Sequence, residues 1–358
     1  MYNRRNWKKR SKQFQKEKQR RKSAKQSRRR KTKQSKSDSK SEKLLSLLFQ
    51  GYNKLKAPVN FSLLNNEKET LSFLKKIRDN YRRSCKVVIL LDEVDTISTD
   101  AILVLLSNMV QFKAANIGFN GTRPKNKFVD RKLESSGFYK YLYDMPILDQ
   151  DMYTFKKMTS HIYTHGQKDV AAKEADQLVK YASETVWGTA RRCQGIQTTL
   201  VELMHNTHDH ASKIKGDKHW WLSVEHDEKN HEVTFSFIDF GVGIFRSLEN
   251  KEPGEPLYGS LDYITKLFPF ATTEVDKLKL ILEGKVVLTQ TNEYYRGRGL
   301  RKIYTKYINN QLSDLSIISD YASARVAQND YHSIKDEFEG TFISFKMNSN
   351  TKSLQWEI

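Results

Sequence analysis

Residues 219–244 read HWWLSVEHDEKNHEVTFSFIDFGVGI. Apolar residues, a polar break at Asp227-Glu228-Lys229-Asn230, and then Val233, Phe235 and Phe237 at every second position predict a β-hairpin. The second strand runs into Asp239, with Gly241 and Gly243 close behind. A carboxylate in that place can accept a hydrogen bond from an exocyclic amine, and the glycines let backbone approach a base and sugar closely. The strand end is therefore a candidate adenine site. A nucleotide site also needs groups for phosphates and for a metal, and the flanking sequence holds candidates for both.

Upstream, residues 201–212 read VELMHNTHDHAS. On a helical wheel Leu200, Leu203, Met204, Thr207 and Ala211 share one arc, with Ile196 and Ile214 nearby, which makes that arc the core face. Glu202, Asn206 and His210 follow at i, i+4 and i+8 on a different face, joined by Asp209, while His205 and His208 flank it. Three readings compete: a transition-metal centre, a hard cation carrying phosphates, and a solvated polar face. Zinc needs His, Cys or carboxylate ligands converging on one point, whereas this set includes an Asn and lacks the HExxH arrangement. Glu and Asn oxygens suit Mg²⁺, which usually brings phosphates with it.

Downstream, YYRGRGLRKIYTKYI places Gly297 and Gly299 ahead of a predicted helix, and FEGTFISFKM places Gly340-Thr341 before an alternating strand. A glycine turn feeding a helix N-terminus offers N–H groups and the positive end of the dipole to phosphate. In order, ExxxNxxxH, DxGxG, GxGL and GT resemble the N box, the two glycine boxes and the terminal Gly-Thr of the GHKL ATPase superfamily, over roughly residues 167–350. The ExxxNxxxHA form is most similar to anti-sigma-factor kinases and some histidine kinases. The resemblance implies a Bergerat fold, an α/β sandwich with a mixed sheet, binding ATP with Mg²⁺. It implies that Asn206 ligates Mg²⁺ and that Asp209 and His210 line the same face. Asp239 would bind the adenine amine directly and, with Thr341, through water. Gly241 and Gly243 would shape the base pocket. Gly297, Arg298, Gly299 and Leu300 would close on the phosphates. Glu202 would be the catalytic general base, and residues 245–296 the lid. One departure is that the second glycine box runs straight into Arg301-Lys302.

Residues 44–150 read as a separate α/β unit. SEKLLSLLFQGYNKLK suggests a short helix and APVNFSLL an extended segment. Leu71, Phe73, Leu74, Ile77 and Tyr81 recur at helical spacing, KVVILLDEVD reads as a strand buried on both faces, and Ser98 is a candidate N-cap for the helix STDAILVLLSNMVQF. NIGFNG predicts a strand, TRPKNKFVDRKLESSGF a helix closed near Gly137, and YKYLYDM another strand. This alternation is α/β. Its layout over roughly residues 58–148 resembles the STAS domain of anti-sigma-factor antagonists, in which a serine after the buried strand accepts phosphate. Thr99 aligns with that position, within TISTDAIL rather than Asp-Ser-Ser-Gly; as an alternative, Ser98 and Thr99 simply cap the helix. Residues 151–166 read as a linker, and 167–358 as the ATP-binding domain.

The net charge of +20 is concentrated. Of 62 Lys+Arg and 42 Asp+Glu, residues 1–43 hold 20 and 3, leaving 42 and 39 for the other 315 residues. The arm has almost nothing apolar to bury, so disorder is expected of it. Its partner would be nucleic acid or another polyanion held by counterion release, the alternative being a solubilising tail. The apolar runs are far short of the ~20 residues of a membrane span, and two cysteines without a CxxC fit a cytoplasmic protein. The functional expectation is an ATPase switch signalling to a protein partner through the STAS-like unit, with an anti-sigma-type Ser/Thr kinase or a nucleic-acid-tethered ATP sensor as alternatives. If the arm is the tether, deleting residues 1–43 abolishes salt-sensitive retention on a DNA or RNA column; retention unchanged by the deletion contradicts it.

Overall fold

The computed structural model describes residues 49–143, 160–165, 172–210, 220–241, 243–249, 260–285 and 299–355. By contact the chain divides into Met1–Tyr52 and Asn53–Ile358. The described part of the first unit is a turn in which Tyr52 N donates to Phe49 O at 3.1 Å. The arm of residues 1–43, and with it the polyanion expectation, lies outside the described residues.

The second unit is mixed α/β, with parallel and antiparallel pairing. It opens with β1 (Asn53–Lys56), β2 (Asn60–Phe61), α1 (Glu67–Arg82), β3 (Val87–Leu90), β4 (Thr96–Ile97), α2 (Thr99–Ala114), β5 (Phe119–Gly121), α3 (Lys127–Ser135) and α4 (Phe138–Tyr143). Strands β1, β3 and β5 form a parallel sheet, and β2 pairs with β4, also in parallel. Helix α1 buries Leu71, Phe73, Leu74 and Ile77 along one stripe, with Glu67 and Glu69 in its first turn and Arg82 in its last, as the dipole favours. Residues Ala101–Leu106 of α2 are all buried, the signature of an inside helix.

Two expectations for this region are corrected. Residues 53–56, read as the end of a helix, are the edge strand β1, because their backbone pairs with β3. YKYLYDM, read as a strand, begins within helix α4. Its aromatic residues favour a strand, but Phe138 and Leu142 stand four apart and both pack into one core, so burial overrides propensity. At α2 the N-cap residue is Ser98, but its hydroxyl makes no capping bond and donates instead to Phe61 O at 3.3 Å.

The chain continues through β6 (Ser160–His165), α5 (Ala172–Trp187), β7 (Arg191–Arg192), α6 (Gln194–His210), β8 (Trp220–Asp227), β9 (Glu232–Asp239), α7 (Ile244–Glu249), α8 (Ser260–Leu267), α9 (Glu274–Leu282), α10 (Gly299–Ile308), β10 (Ser313–Arg325), β11 (Asp330–Met347) and β12 (Leu354–Gln355). The hairpin read from residues 219–244 is β8–β9. The main sheet has the order β10-β11-β9-β8-β6, and every neighbouring pair is antiparallel. The mixed sheet expected here is therefore corrected: among the described residues, parallel pairing is confined to the strands of residues 53–121. Strand β6 falls in the stretch read as a linker.

Both faces of the main sheet are covered. Val233, Phe235, Phe237, Ile343 and Phe345 pack with Leu178, Ile196, Leu200 and Leu203 of α5 and α6. Trp221, Ile238, Ile318 and Phe342 on the other face pack with Leu71, Leu74, Ile102 and Leu105 of α1 and α2. Polar clasps tie the same layers: Lys75 to Asp336 at 3.0 Å, Lys132 to Glu225 at 2.7 Å, and His332 to Glu67 at 2.6 Å.

His332 also meets Asp330 at 3.0 Å. Desolvation lowers its pKa, but the bonds to Glu67 and Asp330 outweigh that, and the net shift is upward. A raised folded-state pKa contributes stability that is complete below the usual histidine value and is lost as pH rises through the folded value. Between about pH 6 and 8.5, His332→Gln should therefore lose less melting temperature than the parent, by on the order of 1–2 °C given solvent screening. Identical slopes contradict the clasp.

Candidate functional site

Helix α6 is positioned by its apolar stripe. Ile196, Leu200, Leu203, Met204 and Thr207 are buried, as the wheel requires. Glu202 and Asn206 are half-buried beside that stripe, and His205 is exposed. Asp209 and His210 belong to the helix, but their side chains lie outside the described residues, as do Gly297 and Arg298.

Helix α10 begins directly on Glu202 and Asn206. A Cβ added to Gly299 would stand 2.9 Å from Asn206 Nδ2 and 2.9 Å from Glu202 Oε1, so its lack of a side chain is what lets the helix end come so close. Leu300, next in line, is half-buried against the helix-side core. One turn on, Lys302 Nζ donates to Glu202 Oε2 at 3.1 Å. Lys306 Nζ donates to Thr198 Oγ1, and burial lowers its pKa. A carboxylate, a carboxamide, two amines and a helix N-terminus thus meet between α6 and α10. The sequence reading named Lys302 only as a departure from the second glycine box and did not single out Lys306. The signal was present in LRKIYTK, where Lys302 and Lys306 stand four apart and share a helix face.

The second grouping sits at the end of β9. The β9–β11 register sets Thr341 directly opposite Asp239. Both follow the alternation of Phe235, Phe237, Ile343 and Phe345, so both belong to the face that α6 covers. Asp239 Oδ1 accepts from Gly241 N at 2.8 Å. Asp239 keeps some accessible surface, yet protein atoms surround its carboxyl closely. That burial pushes its pKa up to about 6, against the Gly241 bond and with help from the negative charge of Asp320.

Asp320 is a residue that sequence reasoning missed. It is 2% exposed and accepts from Phe245 N at 2.9 Å. Gly243 lies against its carboxylate so closely that a Cβ would overlap it. Ser319 Oγ accepts from Ile244 N at 3.0 Å and sits 2.8 Å from Gly340 O. Ser319-Asp320 therefore joins the turn after Asp239 to the backbone just before Thr341. A polar pair inside the apolar strand SIISDYASAR was the available clue.

Thr99 is not presented to solvent. It is 3% exposed, and its hydroxyl has no hydrogen-bond partner among the described residues. This burial corrects the reading of Thr99 as an accessible phosphoacceptor.

No protein-family model matches the chain, and no curated protein matches it either.

Gly340 holds φ +101°, and a Cβ there would drive into Asp239 O. Gly188 also has positive φ, at +71°, but nothing stands within 4 Å of its Cβ position. Gly340→Ala should cost about 3 kcal/mol or more in a denaturant titration, and Gly188→Ala about 1 kcal/mol. Equal losses contradict the close approach of β11 to Asp239.

Proposed function

We propose that residues 167–358 bind Mg–ATP and act as an ATPase switch. One observation carries this reading: Gly299, at the N-terminus of α10, lies on Glu202 and Asn206, almost a hundred residues away in sequence. A glycine at a helix start, beside two oxygen-bearing side chains, suits a phosphate with a hard cation. The chain's donors fit the pair. Asn206 supplies a neutral oxygen and Glu202 a carboxylate, and the close approach that Gly299 permits brings the start of α10 next to both. Asn206 would hold Mg²⁺, whose charge neutralises phosphate oxygens.

Asp239 would accept from the adenine amine, with Thr341 opposite it as a second polar group. Gly241 holds one carboxylate oxygen in place, and Gly243 settles the following turn onto Asp320. Glu202 would orient the attacking water, and Lys302, now bonded to it, would hold its carboxylate in place until the phosphates arrive. The lid expected over residues 245–296 includes α7, α8 and α9.

In the kinase alternative the same Glu202 would act on a protein hydroxyl. Burial of Thr99 favours an acceptor on a partner protein over one in this chain. The third reading, an ATP sensor tethered to nucleic acid by residues 1–43, is compatible with either.

Isothermal titration with ATP and Mg²⁺ tests the proposal. Asp239→Asn should weaken binding about tenfold or more, since a buried acceptor is exchanged for a group with a competing donor. Glu202→Ala should bind within about threefold of the parent but release phosphate about 100-fold more slowly. With its pKa raised to about 6, Asp239 loses its acceptor form as pH falls through that value, so affinity should drop there in the parent and not in Asp239→Asn. An affinity indifferent to Asp239, or phosphate release indifferent to Glu202, contradicts the proposal.

A further inference from the structure

Phe240 follows Asp239 and, by alternation, belongs to the opposite face of the sheet, where it packs against the core shared with α1 and α2. Arg78 of α1 meets it there. The guanidinium carbon stands 4.7 Å from the centre of the Phe240 ring. The same guanidinium forms an ion pair with Glu339 Oε2 at 3.3 Å, donates to Glu339 O at 3.4 Å, and donates to Gln111 Oε1 at 3.3 Å. Arg82 pairs with the other oxygen of Glu339. The Arg78 side chain is 15% exposed, so these bonds are poorly screened.

These contacts bracket the candidate base site. Phe240 is one residue beyond Asp239, and Glu339 is two residues before Thr341. Between Glu339 and Thr341 lies Gly340, pressed onto Asp239 O in left-handed geometry. The β10–β11 register slips at this place, where Ser319 pairs with Thr341 but Asp320 pairs with Phe338. A bulge of this kind re-aims the side chain next to it and needs something to hold it. Arg78 holds both ends: an aromatic face on β9's exit, and the side chain and carbonyl of the bulged residue on β11. Cation–π contact and paired, forked hydrogen bonds are what a guanidinium supplies and an ammonium does not.

We infer that Arg78 is a positioning residue through which α1 and the N-terminal α/β layer set the spacing of Asp239 and Thr341, and so regulate how tightly adenine is held. This rests on the nucleotide reading above. Linkage makes the effect reciprocal: bound nucleotide tightens the seating of α1 on β11. The device acts on the base and leaves the phosphate groups at Glu202, Asn206 and Gly299 untouched.

The test is equilibrium titration of the full chain with ATP and with GTP, each with Mg²⁺. GTP carries a carbonyl where ATP carries the amine, so the parent should prefer ATP. Arg78→Ala should lose about tenfold on ATP, keep its GTP affinity and so lose the preference. Arg78→Lys, which restores the charge but not the fork, should recover part of the loss. Thermal melting shows whether Arg78→Ala is folded; if it is not, Glu339→Gln, which weakens the same grip from a more exposed partner, should show a smaller loss confined to ATP. Equal losses on ATP and GTP, or none on either, overturn the positioning role while leaving nucleotide binding intact. A parent protein that binds neither nucleotide overturns the nucleotide reading, and this inference with it.

Discussion

The main sheet cannot stand with either face bare. Its strands carry large apolar side chains alternately up and down: Phe235, Phe237 and Phe345 on one side, Trp221, Ile238 and Phe342 on the other. Burying such residues yields roughly 1.5–3 kcal/mol each, so leaving one face in water would cost more than the net stability of an ordinary domain. Helices α5 and α6 cover the first face, and α1 and α2 cover the second. That single constraint places Glu202 and Asn206 over the sheet. It also brings the N-terminal α/β layer against the strands that carry Asp239 and Thr341.

The parts of the fold governed by local periodicity were legible in the sequence. The β8–β9 hairpin, the buried strand β3, helices α1 to α3 and the core stripe of α6 all follow from apolar residues recurring at two or at three to four positions. The parts governed by distant partners were not. NKLK becomes a strand because β3 lies beside it, and FYKYLY becomes a helix because Phe138 and Leu142 find one core. The antiparallel order of the main sheet is a property of pairing between distant segments, such as Val233 of β9 with Met347 of β11, and no local pattern encodes it.

The candidate site divides in the same way. Glu202, Asn206, Asp239, Gly299 and Thr341 were legible because their residue types and spacing are unusual together. Lys302, Lys306, Ser319 and Asp320 were not, because each looks ordinary until a neighbour from another element arrives. Asp320 is the clearest case. A buried carboxylate is costly unless hydrogen-bonded, and here it is held by Phe245 N, which fixes the turn after Asp239. Arg78 is a similar case: on the sequence it is one more charge on a polar helix face. Only the packed layer shows it meeting both Phe240, next to Asp239, and Glu339, two residues before Thr341.

If the proposal holds, these groupings on one face of the sheet serve one ligand. A crystal structure of the full chain with Mg²⁺ and a non-hydrolysable ATP analogue tests it most directly. The adenine amine should lie on Asp239, with Thr341 close by, and the metal-bound phosphates between Asn206 and the first turn of α10. A nucleotide seated elsewhere on the chain, or bound with its base away from Asp239, would contradict it.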